Sequence, residues 1–355
     1  MRLVDAASPT FARHETFHPR YGWFRKAYKA AADNPYVFTQ ENAPVELGVG
    51  KNMVRAIRYW GLAAKLIVED PKAPNRRVKG CVPTRIGHAI FDESGWDPYM
   101  EDPGTLWLLH WLLLAPQSRL PVWWLAFNEF AAVEFTDDDL ETAISTQVGA
   151  VSQWASPSPS SLKKDVSALL RTYAPQERAR GAAIDDVLNC PLRELNLISN
   201  SVDADRRRFT LGTKPTLPPE IATYAVLDWI SRTSSGSSTA TLSRLTNDAG
   251  SPGRAFKLSE TELLAFLEPC VEAAEDLALT TATGVVQLAW SENPAVVAPR
   301  LLDSYFGVPQ TGARAGYDGD DPVDDDLIED LGYGRDPRSV IRRLHEPAAL
   351  QLGAA

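Results

Sequence analysis

Gln40-ENAPVELGVGKNMVRAIRYWGLAAKLI-Val68 is the stretch on which the reading of this chain turns. At 100° per residue, Met53, Ile57, Trp60, Ala64 and Ile67 form one apolar stripe, so the spacing predicts a core-packed helix over residues 51–68. Lys51, Asn52, Arg55, Arg58 and Tyr59 fall on the opposite side. Upstream, residues 44–47 leave room for a short helix, and Gly48-Val49-Gly50 supplies a tight turn whose glycines tolerate positive φ. Short helix, glycine turn and longer helix with a cationic, amide-bearing front make a helix-turn-helix, the front suited to a DNA major groove.

Before it, residues 14–32 run into a helix with Phe24, Ala27, Tyr28 and Ala31 on its inner face, completing a three-helix unit. After it, Asn75-RRVKGCVP-Thr84 reads as a short β-ribbon followed by a helix over residues 84–91. Arg76, Arg77 and Lys79 would then be the cations of a wing. Residues 95–174 are patterned as helices throughout. Asp102-Pro103 starts one that runs to residue 114, residues 120–130 make a very apolar second, and acidic Thr136-Asp-Asp-Asp139 opens a third; residues 161–173 make a fourth. Trp107, Trp111, Trp123 and Trp124 are expected in this core, an aromatic binding cleft being the other reading.

Further on, residues 206–211 suit an edge strand and Pro218-Pro219 opens a helix through residue 229. The turn-rich stretch 231–239 is the best domain boundary. Beyond it come a helix over 242–248, a loop over 249–253, a helix opened by the Ser259/Glu262 capping box and a hairpin over 277–290. This second winged-helix-like order carries Glu260, Glu262, Glu268 and Glu272 on its would-be recognition helix, which a phosphate backbone would repel. Binding to another protein, or to a second copy of the chain as a homodimer, suits it better. Residues 318–330 hold eight carboxylates and no basic residue, the pattern of a solvated, flexible tail. It is not a calcium loop, because Pro322 takes a ligand position and the central glycine is missing.

The chain is thus expected to be mainly α. Its parts are a basic winged helix-turn-helix unit (1–94), a helical middle domain (95–230), a winged-helix-like unit with a short hairpin (231–310) and an acidic tail (311–355). With 355 residues it is long enough for two or three cores. Residues 1–90 carry 15 Lys plus Arg against 7 Asp plus Glu, a balance of +8 that leaves −18 for the remainder of a chain whose total is −10. Basic and acidic surfaces therefore belong to different ends. Three scattered cysteines without a CxxC pair, no signal-like apolar start and no apolar run of spanning length give the expectation of a cytoplasmic protein with no membrane segment.

Several constellations compete for the chemistry. His14-Glu15-Thr16-Phe17-His18 matches the zinc motif H-E-x-x-H, but Pro19 pushes His18 out of the α region and no third ligand follows. His14 and Glu15 are instead expected to cap a helix, to bond into the core or to pair beside a bound phosphate. Gly48-Val-Gly-Lys51-Asn52 fails as a phosphate loop, having Val45 in place of glycine and Asn52 in place of a hydroxyl. Asp92, Glu93, Asp97, Glu101 and Asp102 could hold Mg²⁺ or serve as acidic linkers and caps.

His14-ETFHPRYGWFRKA-Tyr28 and Leu47-GVGKNMVRAIRYWGL-Ala63, with Asp102-PGTLWLLH-Trp111 and Lys164-DVSALLRT-Tyr173, resemble a bacterial domain-of-unknown-function family encoded beside DNA phosphorothioation genes, the SspB-like DNA-nicking components of the Ssp system. The resemblance covers about residues 11–300 and misses the acidic tail. It implies DNA binding and a single-strand nick, in company with a cysteine desulfurase, an ATP-pyrophosphatase-like protein and an ATPase. It hands over no assigned catalytic residue. The expected site is double-stranded DNA gripped by Arg20, Lys51, Asn52, Arg55, Arg58, Tyr59 and the wing, with cleavage by His14, Glu15 and Mg²⁺ or Mn²⁺. The alternative is a non-catalytic DNA-binding adaptor that recruits the sulfur-transfer machinery.

Overall fold

The computed structural model describes residues 1–70, 80–175, 190–203, 205–234, 236–282 and 284–307, so Arg76, Arg77 and Lys79, the expected wing cations, and the acidic tail lie outside the described residues. The architecture is mainly α with small antiparallel sheets. After a single helical turn, α1 (Leu3–Ala6), the first unit is built on α2 (Trp23–Asp33), α3 (Ala43–Leu47) and α4 (Lys51–Ala63). The expected inner face of α2 is buried, with Trp23 added to it. Gly48 ends α3 at φ 63, donating its N–H to Pro44 and Val45 carbonyls, and Gly50 opens α4 in extended conformation. This is the expected helix, glycine turn and helix.

The long helix is shorter than its apolar stripe predicts. α4 stops after Ala63, Lys65 takes a positive φ of 59°, and Ile67 begins β1 (Ile67–Glu69) instead of a further helical turn. An alternating strand and a helical stripe both bury Ile67, so periodicity could not separate them. Gly61 sits where α4 crosses α2: a Cβ there would lie 2.6 Å from the Ala27 Cβ, so the helices meet at a distance only glycine permits. β1 pairs antiparallel with β2 (Cys81–Pro83), and α5 (Arg85–Phe91) follows, its first turn capped by Thr84 accepting from the Gly87 N–H.

The middle follows its caps closely. α6 (Pro103–Leu114) starts at Asp102 as expected; α7 (Pro121–Asn128), α8 (Asp137–Gly149) with its Thr136/Asp139 capping box and α9 (Pro159–Tyr173) succeed it. The four tryptophans fill the core, each no more than 1% exposed, which removes the aromatic-cleft reading. One strand departs from expectation. β5 (Arg207–Phe209) is central, between β3 (Glu134–Phe135) and β4 (Ile198–Asn200), because both neighbours come from segments with no strand pattern of their own.

α10 (Pro219–Thr233) runs four residues past the expected end into the turn-rich stretch. β6 (Thr239–Thr241), α11 (Leu242–Asn247), α12 (Pro252–Phe256), α13 (Glu260–Ala273), β7 (Leu277–Ala282) and β8 (Val285–Trp290) then follow, before α14 (Pro294–Phe306). α12 replaces part of the expected 249–253 loop, capped by Ser251 with Pro252 at its start. The sheet order is β6-β8-β7, all antiparallel. No helix among the described residues is long and apolar enough to cross a membrane.

Candidate nucleic-acid interface

Lys51 and Asn52 lie exposed in the first turn of α4, and Arg55, one turn on, keeps 56% of its side chain exposed. Gly50 offers no side-chain cap, so the first N–H groups of the helix remain directed outward beside these side chains. The rest of the expected face behaves differently. Arg58 is half-buried and bonds Glu69 of β1 at 3.0 Å, which spends its charge within the protein. Tyr59 is buried, its hydroxyl donating to the Arg119 carbonyl at 2.8 Å, a correction to its place on the outer face. A tyrosine four residues from Arg55 and one from Trp60 lies on the seam between the two faces, and the middle domain covers that seam. Arg20 lies over the rings of Phe17 and Trp23, 5.6 Å from each centroid.

His14 and Glu15 part company. His14 is fully buried, its Nε2 donating to Asp165 Oδ1 at 2.5 Å, with Tyr59, Trp60 and Trp123 packed around the ring. Asp165, on α9, also accepts the Ala12 N–H at 2.9 and 3.1 Å. Glu15 stays at the surface and reaches Arg55 at 3.5 Å. Ala12, Glu15 and Thr16 all have positive φ, so the His-Glu-Thr-Phe-His segment is a folded turn and its histidines do not share a helical face. The turn is pinned from three sides: Asp165 takes the Ala12 N–H, Arg171 donates to the Thr16 carbonyl at 2.6 Å, and the Trp60 indole donates to the Phe17 carbonyl at 3.0 Å.

His18 is buried too, and neither ring nitrogen has a partner. Burial first, then Arg193, Arg171 and Arg20, push it down to about 3. The acidic residues after α5 are spent as caps and bridges. Asp97 accepts the Glu101 and Asp102 N–H groups, Asp102 caps α6 and accepts the Tyr305 hydroxyl at 2.7 Å, and Asp92 accepts from Tyr28. No group of three or more His, Cys, Asp or Glu among the described residues could hold a metal, so they do not fit a protein-built cage for Mg²⁺ or Mn²⁺.

Beside α3 lies a cleft of about 520 Å³ that the sequence did not announce. Arg25, Lys26 and Lys29 of α2 form one wall and Pro98-Tyr99-Met100 the other. The spacing of the three cations marked only a polar helix face; the opposing wall is a loop some seventy residues away.

Two outcomes test the buried pairings. Asp165→Ala leaves His14 and the Ala12 N–H without their acceptor, and should cost about 3–5 kcal/mol in urea unfolding. His18 in the unfolded chain takes a proton near 6.5, the folded one only near 3, so stability present above pH 6.5 is lost as pH falls through that window. His18→Gln should flatten the pH dependence of unfolding free energy there by up to about 1.4 kcal/mol per pH unit.

Comparison with curated protein sequences finds no match. Two crystal structures are similar over almost the full length of both chains. One is described as SspB, at 37% identity and a TM-score of 0.82, covering 97% of this chain and 99% of that one. The other is described as magnesium ion-bound SspB, at 38% identity and 0.83, covering 97% and 98%. The sequence profile of DUF4007, a family of proteins of unknown function, matches residues 11–306. As that match runs over nearly the whole chain, this SspB-like chain belongs to the DUF4007 family.

Proposed function

We propose that the chain is a DNA-binding, DNA-nicking component of a bacterial DNA phosphorothioation and phage-defence system, the activity that likeness to SspB implies. The observation that carries the DNA reading is the exposed amino-terminal turn of α4, where Lys51, Asn52 and Arg55 stand together on the outside of a helix-turn-helix. Arginine and lysine can hold phosphates and asparagine can pair with adenine, so the residue types suit groove binding. Strands β1 and β2 follow α4 in the order of a winged helix, with the basic residues 71–79 between them. That placement supports Arg76, Arg77 and Lys79 as wing contacts.

The carboxyl-terminal unit has a parallel design and opposite charge. The run from α10 through β8, with the middle strand of its sheet contributed last, supports reading this unit too as winged-helix-like. On α13, Glu260, Glu268 and Glu272 are exposed and Glu262 partly so. An acidic helix in the recognition position suits a protein partner, such as the desulfurase, ATP-pyrophosphatase-like or ATPase components of the same system, or a second copy of the chain.

The second reading, a non-catalytic adaptor, is favoured by one observation: His14 is closed in a buried pair with Asp165 and presents no nitrogen to solvent. Glu15, at the surface beside Arg55, is then the member of the pair positioned to meet a DNA strand.

Lys51→Ala with Arg55→Ala should weaken duplex binding and flatten the log K versus log salt slope by about two units, one for each lost phosphate contact, in fluorescence anisotropy titrations. An unchanged slope rules out phosphate contacts by this pair. Supercoiled plasmid incubated with pure protein and Mg²⁺ or Mn²⁺ separates the readings. Open-circle product that Glu15→Gln abolishes supports the nickase; plasmid bound but never relaxed supports the adaptor.

A further inference from the structure

The cleft between α2 and the 98–100 loop has features that packing alone leaves unused. Tyr99 is 61% exposed and Tyr21 48% exposed, two large aromatic side chains at the mouth of one opening. The Arg25 guanidinium stacks on the Tyr99 ring, 4.5 Å from its centroid, while its buried Nε has no hydrogen-bond partner. Lys29 has only a 3.9 Å approach to Glu93, itself 87% exposed. Between these groups the floor is apolar, formed by Ala30, Val37 and Leu47. The exposed Asp33 also lines the cleft.

An exposed ring, a guanidinium stacked on it, a lysine beside them and an apolar floor are the parts of a single-stranded nucleic-acid subsite: a base stacks, its phosphate meets the cations. A volume of about 520 Å³ accepts one nucleotide and excludes a duplex. Position agrees, because Leu47 lines the floor and is joined by the Gly48–Gly50 turn to the exposed start of α4. A strand held at α4 has only a few residues' distance to travel.

We propose that this cleft receives one unstacked base of the DNA strand, its ring against Tyr99, its phosphate at Lys29 and Arg25, and an exocyclic amino group toward Asp33. The proposal rests on the DNA-binding reading of α4 and adds a subsite to it. Unpairing a base is least costly where the duplex is already interrupted, so the subsite would favour DNA with an unpaired nucleotide.

The test uses the full-length chain and two fluorescein-labelled duplexes, one fully paired and one with a single unpaired central cytosine. The wild type should bind the interrupted duplex roughly tenfold to 100-fold more tightly, the range expected of one base–aromatic stack. Tyr99→Ala should abolish that preference and leave paired-duplex affinity unchanged, whereas Tyr99→Phe, which keeps the ring, should retain it. Tyr99 is a surface side chain, so neither substitution threatens the fold. Equal binding of both duplexes by the wild type, or a preference that survives Tyr99→Ala, overturns the subsite and leaves the α4 reading standing. Failure to bind either duplex overturns both.

Discussion

α6 has no face to give to water, since every residue from Gly104 to Leu114 is buried. A helix apolar all round must be enclosed by other elements, and its buried imidazole and indoles are answered from inside the protein, while the Thr105 hydroxyl has no partner among the described residues. His110 is answered on both nitrogens, accepting from the Tyr173 hydroxyl at 2.8 Å and donating to the Ala255 carbonyl at 2.9 Å. The Trp111 indole donates to Asp228 at 3.0 Å and the Trp107 indole to Thr216 at 3.1 Å. At its carboxyl end the Lys65 ammonium donates to the carbonyls of Leu112 and Ala115, a cation where the helix dipole favours one. These partners come from the segment after α4, from α9, α10 and α12 and from the loop before α10, so one helix ties distant segments of the chain to the same centre.

The enclosure has a charge cost that shapes the middle of the molecule. Burial holds Lys65 down to about 7, with Arg232 adding to the effect, and burial holds His110 down to about 4. Asp228 balances this region: it takes the Trp111 indole and a two-pronged contact from Arg232, whose other arm donates to the Pro116 carbonyl. These bonds tie α6, α10 and the loop after α6 to one another. The His14–Asp165 pair belongs to the same interior, fastening the amino-terminal turn to α9 so that Glu15 and Arg55 stand side by side outside it.

Exposed charge differs in sign between the amino-terminal and carboxyl-terminal helices. Lys51 and Arg55 of α4 and Lys29 of α2 are exposed, as are the carboxylates Glu260, Glu268 and Glu272 of α13. A single all-basic surface would bind any polyanion. An acidic face repels a polyanion.

Local chemistry in the sequence determined most element starts. Asp102-Pro103, Thr136 with Asp139 and Ser259 with Glu262 satisfy their own helix ends within a few residues, and Gly48 ends α3 through a φ that glycine adopts freely. The +8 balance of residues 1–90 and the exposed Lys51, Asn52 and Arg55 were likewise legible, because charge and helical phase are properties of a short segment. Tertiary structure alone decided where α4 stops, that Tyr59 turns inward, that His14 meets Asp165 across 151 residues, and that Tyr99 closes a cleft over Arg25. Each of those depends on which distant surface arrives at a residue. Periodicity gives a side chain's direction on its own helix, and only packing determines what stands in that direction.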